Sequence, residues 1–260
     1  MNLLSEQNAT ARDSADIHHA ISSMNRISLS EMDSVALMDR VDTKYVLGRD
    51  HLLHLLSQLK SEYSVLEVEG VCVSPYATLY FDTPELTSYL DHHNGKLNRK
   101  KIRMRKYSSN GCCFFEIKLK NSKGRTKKRR IAIPAIEENI SPNLGDFVLS
   151  QTGDLPDLKP QLWIYFSRIT LVNQLCAERV TFDLGLDFHL SGTHEQLPDL
   201  VIAEVKQEKD DRSSPVRKHL RNLGVRPMRV SKYCLGSSLL KPHLKYNRFK
   251  RKLLAIKKIA

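Results

Sequence analysis

Residues 101–120 read KIRMRKYSSNGCCFFEIKLK, two stretches of alternating charged and apolar residues joined by a short polar turn. Successive side chains of a β-strand point to opposite faces, so this alternation predicts two strands, each with one basic and one apolar face. Arg103 and Arg105 share the basic face of the first strand, and Glu116 and Lys118 share the corresponding face of the second. The intervening turn predicts that the two strands pair as a hairpin.

The same alternation returns later in the chain. Arg179 and Asp183 alternate with apolar residues, as do Glu204 and Lys206. A sheet with one apolar and one cationic face has two options. It can leave the cationic face in bulk water, or it can close so that this face lines a water-filled bore. In the second arrangement the apolar face points outward and amphipathic helices pack over it.

The pattern as a whole predicts an α+β domain. It is expected to be an antiparallel closed β-barrel with a basic lumen and helices packed on the outside. Further strands are predicted at residues 43–47, 76–81, 126–133, 161–171, 178–184, 186–190 and 200–207. Helices are predicted at residues 50–63, 84–92 and 213–223, from residue 231 onward, and once within an irregular connection over 134–160. Asp50 and Asp82 are predicted to cap the first two of these helices.

Three segments divide the chain. Residues 1–25 are polar and aperiodic and are predicted to form a flexible arm, and residues 26–240 form the folded domain. Residues 241–260 form a basic tail or helix with eight Lys or Arg residues, no acid and a loose apolar stripe. Such a tail suits docking on the body, an anionic membrane or an acidic partner.

Composition limits the class of protein. The 260 residues carry 41 Lys and Arg against 29 Asp and Glu, a net charge of +12, and 41% are hydrophobic, which excludes a disordered chain. No apolar stretch approaches the roughly 18 residues that cross a bilayer, and the first residues lack the pattern of a secretory signal. A cytoplasmic protein without a transmembrane segment is therefore expected. The five cysteines contain no Cys-x-x-Cys pair, so they indicate neither a disulfide framework nor a zinc site.

An enclosed basic face requires a counter-charge. Two like charges about 5 Å apart at an effective dielectric of about 20 repel each other by roughly 3 kcal/mol. Arg103, Arg105, Lys118 and Lys120 together therefore predict that the bore holds an anion of high charge density. A triphosphate or a longer phosphate chain fits, because its repeated oxygens accept charge-assisted hydrogen bonds from successive Arg and Lys residues.

Seven short motifs carry a family resemblance. In chain order they are Arg40-Val-Asp-Thr-Lys-Tyr45, Tyr80-Phe-Asp-Thr-Pro84, Lys101-Ile-Arg-Met-Arg105, Glu116-Ile-Lys118, Arg179-Val-Thr-Phe-Asp183, Glu204-Val-Lys206 and Ser231-Lys-Tyr233. Together they resemble the VTC domain, the polyphosphate polymerase module of the vacuolar transporter chaperone family. That module belongs to the triphosphate tunnel metalloenzymes, and the resemblance covers roughly residues 25–240.

The resemblance implies a reaction and a set of site residues. The reaction is transfer of the ATP γ-phosphate to a growing polyphosphate chain, with Mn²⁺ or Mg²⁺ required. The implied catalytic residues are Arg103, Arg105, Lys118 and Arg168, which also bind substrate. Further substrate-binding residues are Lys44, Lys128, Arg179, Lys206 and Lys232. Glu204 and Glu116 are the implied metal ligands.

Three other functions stay open. Triphosphate hydrolases of the same superfamily typically begin with a Glu-x-Glu-x-Lys strand, whereas residues 42–46 read DTKYV, which favours a polymerase or a phosphate-chain binder. A catalytically silent polyphosphate or nucleotide binder would keep the same channel without the reaction. Nucleic-acid binding would use the net positive charge, but only 7% of residues are aromatic and no nucleic-acid module is recognised.

Overall fold

The computed structural model describes residues 15–33, 41–122, 126–173, 175–211 and 213–259. Its strands are β1 (Arg26–Ile27), β2 (Val41–Gly48), β3 (Ser64–Leu66), β4 (Val73–Asp82), β5 (Arg99–Tyr107), β6 (Cys113–Lys120), β7 (Thr126–Ile133), β8 (Lys159–Asn173), β9 (Glu178–Leu190), β10 (Thr193–Leu197) and β11 (Leu200–Gln207). Its helices are α1 (residues 15–22), α2 (Leu29–Asp33), α3 (Arg49–Leu59), α4 (Thr87–His93), α5 (Pro142–Thr152), α6 (Pro215–Asn222), α7 (Lys232–Leu240) and α8 (Lys250–Ile256). None of the helices in these ranges has the length and apolar character that a membrane span needs.

The strands form one sheet, and all of its ladders are antiparallel except the short β1–β3 pair. Eight strands follow the order β2-β11-β9-β8-β4-β5-β6-β7, and β1, β3 and β10 attach beside this path. Within the described ranges no ladder joins β2 to β7, so the closed barrel predicted from the sequence is not confirmed and the sheet has two edges. Residues 127–130 of β7 are all Lys or Arg, and charged edge strands resist further pairing.

The strand predictions hold best across β5, β6 and β7. The predicted strand at 126–133 is β7 at the same boundaries, and the two strands of the basic hairpin are β5 and β6. The separate strands predicted at 178–184 and 186–190 are wrong, because β9 runs continuously through both. Gly185 stands between them with a φ of 60°, a conformation that glycine adopts without strain, so the strand bends there and continues.

One of the two predicted helix caps is confirmed. The Asp82 carboxylate accepts hydrogen bonds from the backbone N–H groups of Ser88 and Tyr89 at 2.8 and 3.0 Å, so it caps α4. Asp50 does not cap α3, because the helix begins one residue earlier and Gly48 takes the cap position. Asp50 lies in the first turn instead.

The prediction of a flexible arm is wrong for residues 15–25, the part of the arm that the structure describes. Residues 15–22 form α1, and Ile17, Ile21 and Met24 are no more than 4% exposed within the main apolar core. Ile17 and Ile21 stand four residues apart on one face of this helix and Met24 follows just beyond its end, so the segment packs against the body. Residues 1–14 of the predicted arm lie outside the described ranges.

One face of the sheet is apolar and lies under helices, as the sequence predicts. On β2, β8, β9 and β11 it packs against α1, α3 and α6, with Leu56, Phe182 and Val216 completely buried. On β4, β5 and β6 it packs against α5, where Phe115 and Val148 are equally buried. Burying a large apolar side chain stabilises a protein by about 1.5–3 kcal/mol, so these two cores fix the helices on this face.

The opposite face carries the charged side chains and is called the polar face below. At one end it turns apolar, and α7 packs against it there. Gly236 of α7 lies so close to β9 that an added Cβ would sit 2.3 Å from the ring of Phe188. The tail packs beside α7 through Phe249 and Ile256, so the docking that the sequence allowed for residues 241–260 is observed.

Candidate functional site

Arg103 is held on both sides by groups of the polar face. Its Nε donates a hydrogen bond to Glu116 Oε2 at 2.8 Å, and its Nη1 donates to the Tyr80 hydroxyl at 2.9 Å. β5 pairs with β4 and β6 in a register that places Arg103 opposite both of these residues. The guanidinium is therefore fixed in orientation before any ligand arrives.

Glu116 is the acidic centre of the hairpin. Its side chain is 1% exposed and also makes an ion pair with Lys128 from β7. Burial raises the pKa of a carboxyl group, but Arg103 and Arg105 outweigh burial here and lower the pKa of Glu116 to about 2. Glu116 is therefore ionised at every physiological pH, and its charge is shared between cations from β5 and β7.

A second buried carboxylate, Asp183, joins β8 and β9 to α7. Arg168 donates from Nε to Asp183 Oδ1 at 2.5 Å and from Nη2 to Asp183 Oδ2 at 2.8 Å. Lys232, in the first turn of α7, makes an ion pair with the same carboxylate. The sequence analysis did not name Asp183 as a site residue, although the alternation that places it on the same face as Arg179 was visible.

The third carboxylate is Glu204 on β11. Its Oε1 lies 3.6 Å from Lys44 Nζ, and its Oε2 lies 2.8 Å from Lys206 Nζ. Burial alone raises the pKa of Glu204, but the Lys44 and Lys206 ammonium groups hold it well below the usual range. Lys206 also donates to the hydroxyl of Thr181 on β9, at 3.3 Å.

Lys118, near one end of the strand order, interacts electrostatically with charged residues at the other end. It lies on β6, near one end of that order, and its pKa falls to about 8 because of desolvation first and of repulsion from Lys44 on β2 second. Glu204 partly opposes this fall. Lys118 is exposed to solvent yet is desolvated by the surrounding protein. Lys118 therefore faces water on a part of the polar face that is largely surrounded by protein. Hydrogen bonds from β5 and β2 to the adjacent residues Ser231 and Val230 show that the sheet curls there and brings distant strands near each other.

The segment before α7 bridges the two halves of the sheet. Lys101 of β5 donates to Ser231 Oγ at 2.6 Å, and Lys44 of β2 donates to the Val230 carbonyl at 3.4 Å. Ser231 in turn caps α7 by accepting a hydrogen bond from the Cys234 backbone N–H. β2 and β5, which are far apart in the sequence, therefore both contact the residues at the start of α7.

The structure brings the predicted site residues onto one face of the sheet. They are Lys44, Arg103, Arg105, Glu116, Lys118, Lys128, Arg168, Arg179, Glu204 and Lys206, with Lys232 added from α7. Arg105 is 6% exposed and donates to Thr78 Oγ1 at 3.1 Å. Arg179 pairs with Lys206 in register at one end of the face, where its Nη1 lies 3.5 Å from Met32 Sδ.

Tyr80 is a second residue that the sequence analysis missed. It stacks on Tyr233 with ring centroids 5.1 Å apart, and its hydroxyl accepts the hydrogen bond from Arg103. Burial raises the pKa of a phenol, but Arg103 and Arg105 outweigh it here and lower the pKa of Tyr80 to about 7. The motif that contains Tyr80 was recognised, but a role for the Tyr80 hydroxyl could not be assigned without knowing which side chains surround it.

The carboxylates differ in how well they suit a metal ion. Across the described ranges no three His, Cys, Asp or Glu side chains come together as a metal site. Mg²⁺ is commonly held by one or two carboxylates together with substrate phosphate oxygens. Glu204, half-buried on the polar face, fits that donor set as a single ligand. Cations contact both Glu116 and Glu204 from two sides and would compete with a metal at either carboxylate, but the Glu204 side chain is 15% exposed and that of Glu116 only 1%.

Comparison of the sequence with known protein families identifies one family. The sequence profile of the VTC domain matches residues 39–241. No curated protein matches the chain. Among solved structures, a putative adenylate cyclase from Vibrio parahaemolyticus is 17% identical with a TM-score of 0.42, covering 74% of this chain and 94% of that one.

Two further structures are similarly distant. A putative adenylyl cyclase from Hippeastrum, reported to have a dominant triphosphatase activity, is 17% identical with a TM-score of 0.47 and covers 77% of this chain and 96% of its own. A protein from Pyrococcus horikoshii is 15% identical with a TM-score of 0.43 and covers 78% and 100%. These scores are too low to assign an activity, but the profile match spans most of the chain. The chain belongs to the VTC domain family.

Proposed function

We propose that this protein is a polyphosphate polymerase that transfers the γ-phosphate of ATP to a growing polyphosphate chain. The observation that carries the proposal is the gathering of Arg103, Lys118 and Arg168, with further Lys and Arg side chains, on one curled face. In this proposal the polar face and the start of α7 enclose a channel, which the phosphate chain occupies. Membership of the VTC domain family supports the same reading.

The side chains suit phosphoryl transfer, which depends mainly on positioning and on cancelling charge. Arg103 has five N–H donors, and those not directed at Glu116 and Tyr80 remain for phosphate oxygens. Arg168 is oriented by Asp183 in the same way. Lys44 supplies a point charge.

The reaction needs no strong base on the protein. A terminal oxygen of the polyphosphate chain attacks the γ-phosphorus, a new P–O bond forms, and the bond to the β-phosphate oxygen breaks to release ADP. The attacking oxygen is already ionised, so no proton has to be removed from it. Arg103 and Lys118 stabilise the negative charge on the transferred group, and Arg105 and Lys232 bind the flanking phosphates.

The proposal includes a divalent metal, Mn²⁺ or Mg²⁺. Glu204 would hold it together with phosphate oxygens of the substrate, and Glu116 stays a predicted second ligand. The metal supplies additional positive charge at the phosphate oxygens. On the protein side, Lys44 and Lys206 keep Glu204 ionised and oriented.

A catalytically silent phosphate-chain binder is the second candidate. It is favoured by the engagement of all three carboxylates of the polar face with cations. Glu116 contacts Arg103 and Lys128, Asp183 contacts Arg168 and Lys232, and Glu204 contacts Lys44 and Lys206. Such a protein would bind the same anions without turning them over. The cytoplasmic location and an acidic or membrane partner for the tail also stay predictions.

Incubation with ATP and Mn²⁺ tests the proposal. Long phosphate polymers, separated on a gel and absent with Arg103→Ala, are the expected product, and free phosphate is measured in parallel. Arg129→Ala is the matched control, because Arg129 is exposed and lies on the opposite face of β7. Orthophosphate alone would indicate a hydrolase. Tight binding of polyphosphate without turnover would indicate the silent binder.

A further inference from the structure

Four aromatic rings lie together at one end of the polar face, although binding phosphate does not require them. They are Tyr76, Tyr107, Phe114 and Phe166, from four adjacent strands. The ring centroids are 5.0 Å apart for Tyr76 and Phe166 and 4.9 Å apart for Tyr76 and Tyr107. Phe114 extends the series, with its ring 5.8 Å from Tyr107 in an edge-to-face arrangement. The rings therefore form one continuous array across β8, β4, β5 and β6.

The inner part of this array is already covered. The guanidinium of Arg105 lies 5.5 Å from the ring centroid of Tyr76, and that of Arg168 lies 5.1 Å from the same ring. Lys232 lies 4.4 Å from the ring of Phe166. These two rings therefore serve as supports for the cations that face the phosphate chain.

The outer rings contact fewer cations, since within the described ranges none lies over Tyr107 and one lies over Phe114. Tyr107 and Phe114 are half-buried, and the only cation in contact with them through a ring face in the described ranges is Arg130. The Arg130 guanidinium lies 4.4 Å from the Phe114 centroid, on the exposed edge strand β7. Nucleobases stack on aromatic rings and on arginine planes alike. Because the two outer rings meet edge to face, a base that stacks on one of them meets the edge of the other.

The strand register connects the two outer rings to the cations. Tyr107, Arg105 and Arg103 follow one another on the same face of β5, in steps of about 7 Å. A base beside Tyr107 therefore directs the attached phosphates along Arg105 and Arg103. We infer that Tyr107, Phe114 and Arg130 form a binding site for the purine base of the nucleoside triphosphate. The inference rests on the proposed function and assigns the direction in which the nucleotide enters.

Comparing the affinity for ATP with the affinity for tripolyphosphate distinguishes the contribution of the base from that of the phosphates. Isothermal titration without divalent metal measures both ligands on the full chain and on Phe114→Leu and Tyr107→Leu. We expect ATP to bind about ten-fold more weakly to each variant, with tripolyphosphate affinity unchanged, because stacking on one aromatic ring accounts for that much. Tyr165→Leu is the matched control, since Tyr165 is a partly exposed aromatic residue on the opposite face of β8.

Retained tripolyphosphate binding shows that a variant is folded. A second test needs no variants and compares the affinities of the unaltered protein for ATP and UTP. ATP should bind more tightly, because the smaller base of UTP stacks less well. Equal loss of ATP and tripolyphosphate affinity in Phe114→Leu, or equal affinity for ATP and UTP, would overturn the inference. If neither ATP nor tripolyphosphate binds the unaltered protein, the proposed function fails and this inference fails with it.

Discussion

Lys118 on β6 and Lys44 on β2 lie on strands near opposite ends of the hydrogen-bonded order, yet their charges repel each other across the polar face. Folding brings these ammonium groups together although no backbone ladder joins their strands in the described part of the chain. The repulsion opposes the folded state, since like charges in a partly desolvated space have little screening. An anion bound between the two ammonium groups would attract both and so offset their repulsion.

Tripolyphosphate should therefore stabilise the fold. At a concentration 100 times Kd, the gain is about 2.7 kcal/mol, which corresponds to a rise in Tm of about 5–10 °C for a domain of this size. Thermal unfolding with tripolyphosphate, and with sulfate at equal ionic strength as the control, measures the effect. Lys118→Gln should raise the Tm of the ligand-free protein and reduce the ligand shift. An equal shift with sulfate would contradict this account.

The sequence predicted the polar face well because its signal is local. Alternation of charged and apolar residues over eight positions determines which side chains share a face, and β5 and β6 follow it directly. The helix predicted at residues 213–223 is α6, with ends no more than two residues away, and the helix predicted from residue 231 is α7, because caps and stops depend on near neighbours.

Contacts between distant segments could not be predicted in this way. The ion pair of Asp183 with Lys232 joins residues 49 positions apart, and Tyr80 meets Arg103 only through strand pairing. Closure of the sheet depends on whether two edge strands pair, and alternation within each strand carries no information about that. The helix at residues 15–22 was missed because its two large apolar residues, Ile17 and Ile21, stand among polar and small ones.

Arg103→Ala should lower the turnover of ATP by about 10²–10³-fold, which corresponds to the loss of a preorganised donor at the reacting group. Arg103→Lys should recover only part of this loss, because a lysine cannot hold Glu116 and Tyr80 together while facing phosphate. Steady-state kinetics on both variants, with Arg129→Ala as the control, make the comparison. Full activity in Arg103→Ala would remove Arg103 from the site.

Binding of long polyphosphate should be coupled to proton uptake. Desolvation is the main cause that lowers the pKa values of Lys118, Lys128 and Lys232 to about 8 each. Repulsion from Lys44 adds to the fall at Lys118, whereas Glu116 and Asp183 partly oppose it at Lys128 and Lys232. In the free protein these groups lose protons as the pH rises through 8, whereas a bound phosphate chain favours their protonated forms. Affinity should therefore fall between pH 7 and 9.

Titration calorimetry at pH 8 in two buffers of different ionisation enthalpy measures the number of protons taken up. The internal phosphates of a long chain stay ionised throughout, so the uptake reports on the protein. Lys232→Gln should reduce it. Proton release on binding, or a flat affinity across this pH range, would contradict the assignment.

Glu204→Gln should remove the response of turnover to Mn²⁺, because Glu204 is the carboxylate that the proposal assigns to the metal. Titrating Mn²⁺ against activity gives the readout, and Glu195→Gln, an exposed substitution on β10, is the control. The change also leaves Lys44 and Lys206 without their shared partner, so the ligand-free protein should melt at a lower temperature. An unchanged metal response would place the metal elsewhere.

Gly236→Ala tests whether α7 must approach the sheet this closely. A Cβ at this position would lie 2.3 Å from Phe188 Cδ1 and 2.9 Å from Leu162 Cδ2, so the helix or both side chains must move. Overpacking of this kind costs about 1–3 kcal/mol, which exceeds the gain of about 1 kcal/mol that alanine brings to a helix. Denaturant unfolding should show a net loss, and tripolyphosphate should bind more weakly because the shift displaces Lys232. Gly145→Ala in α5, whose nearest contact is 3.4 Å away, should be neutral or stabilising. If both variants are equally stable, the tight approach of α7 has no energetic role.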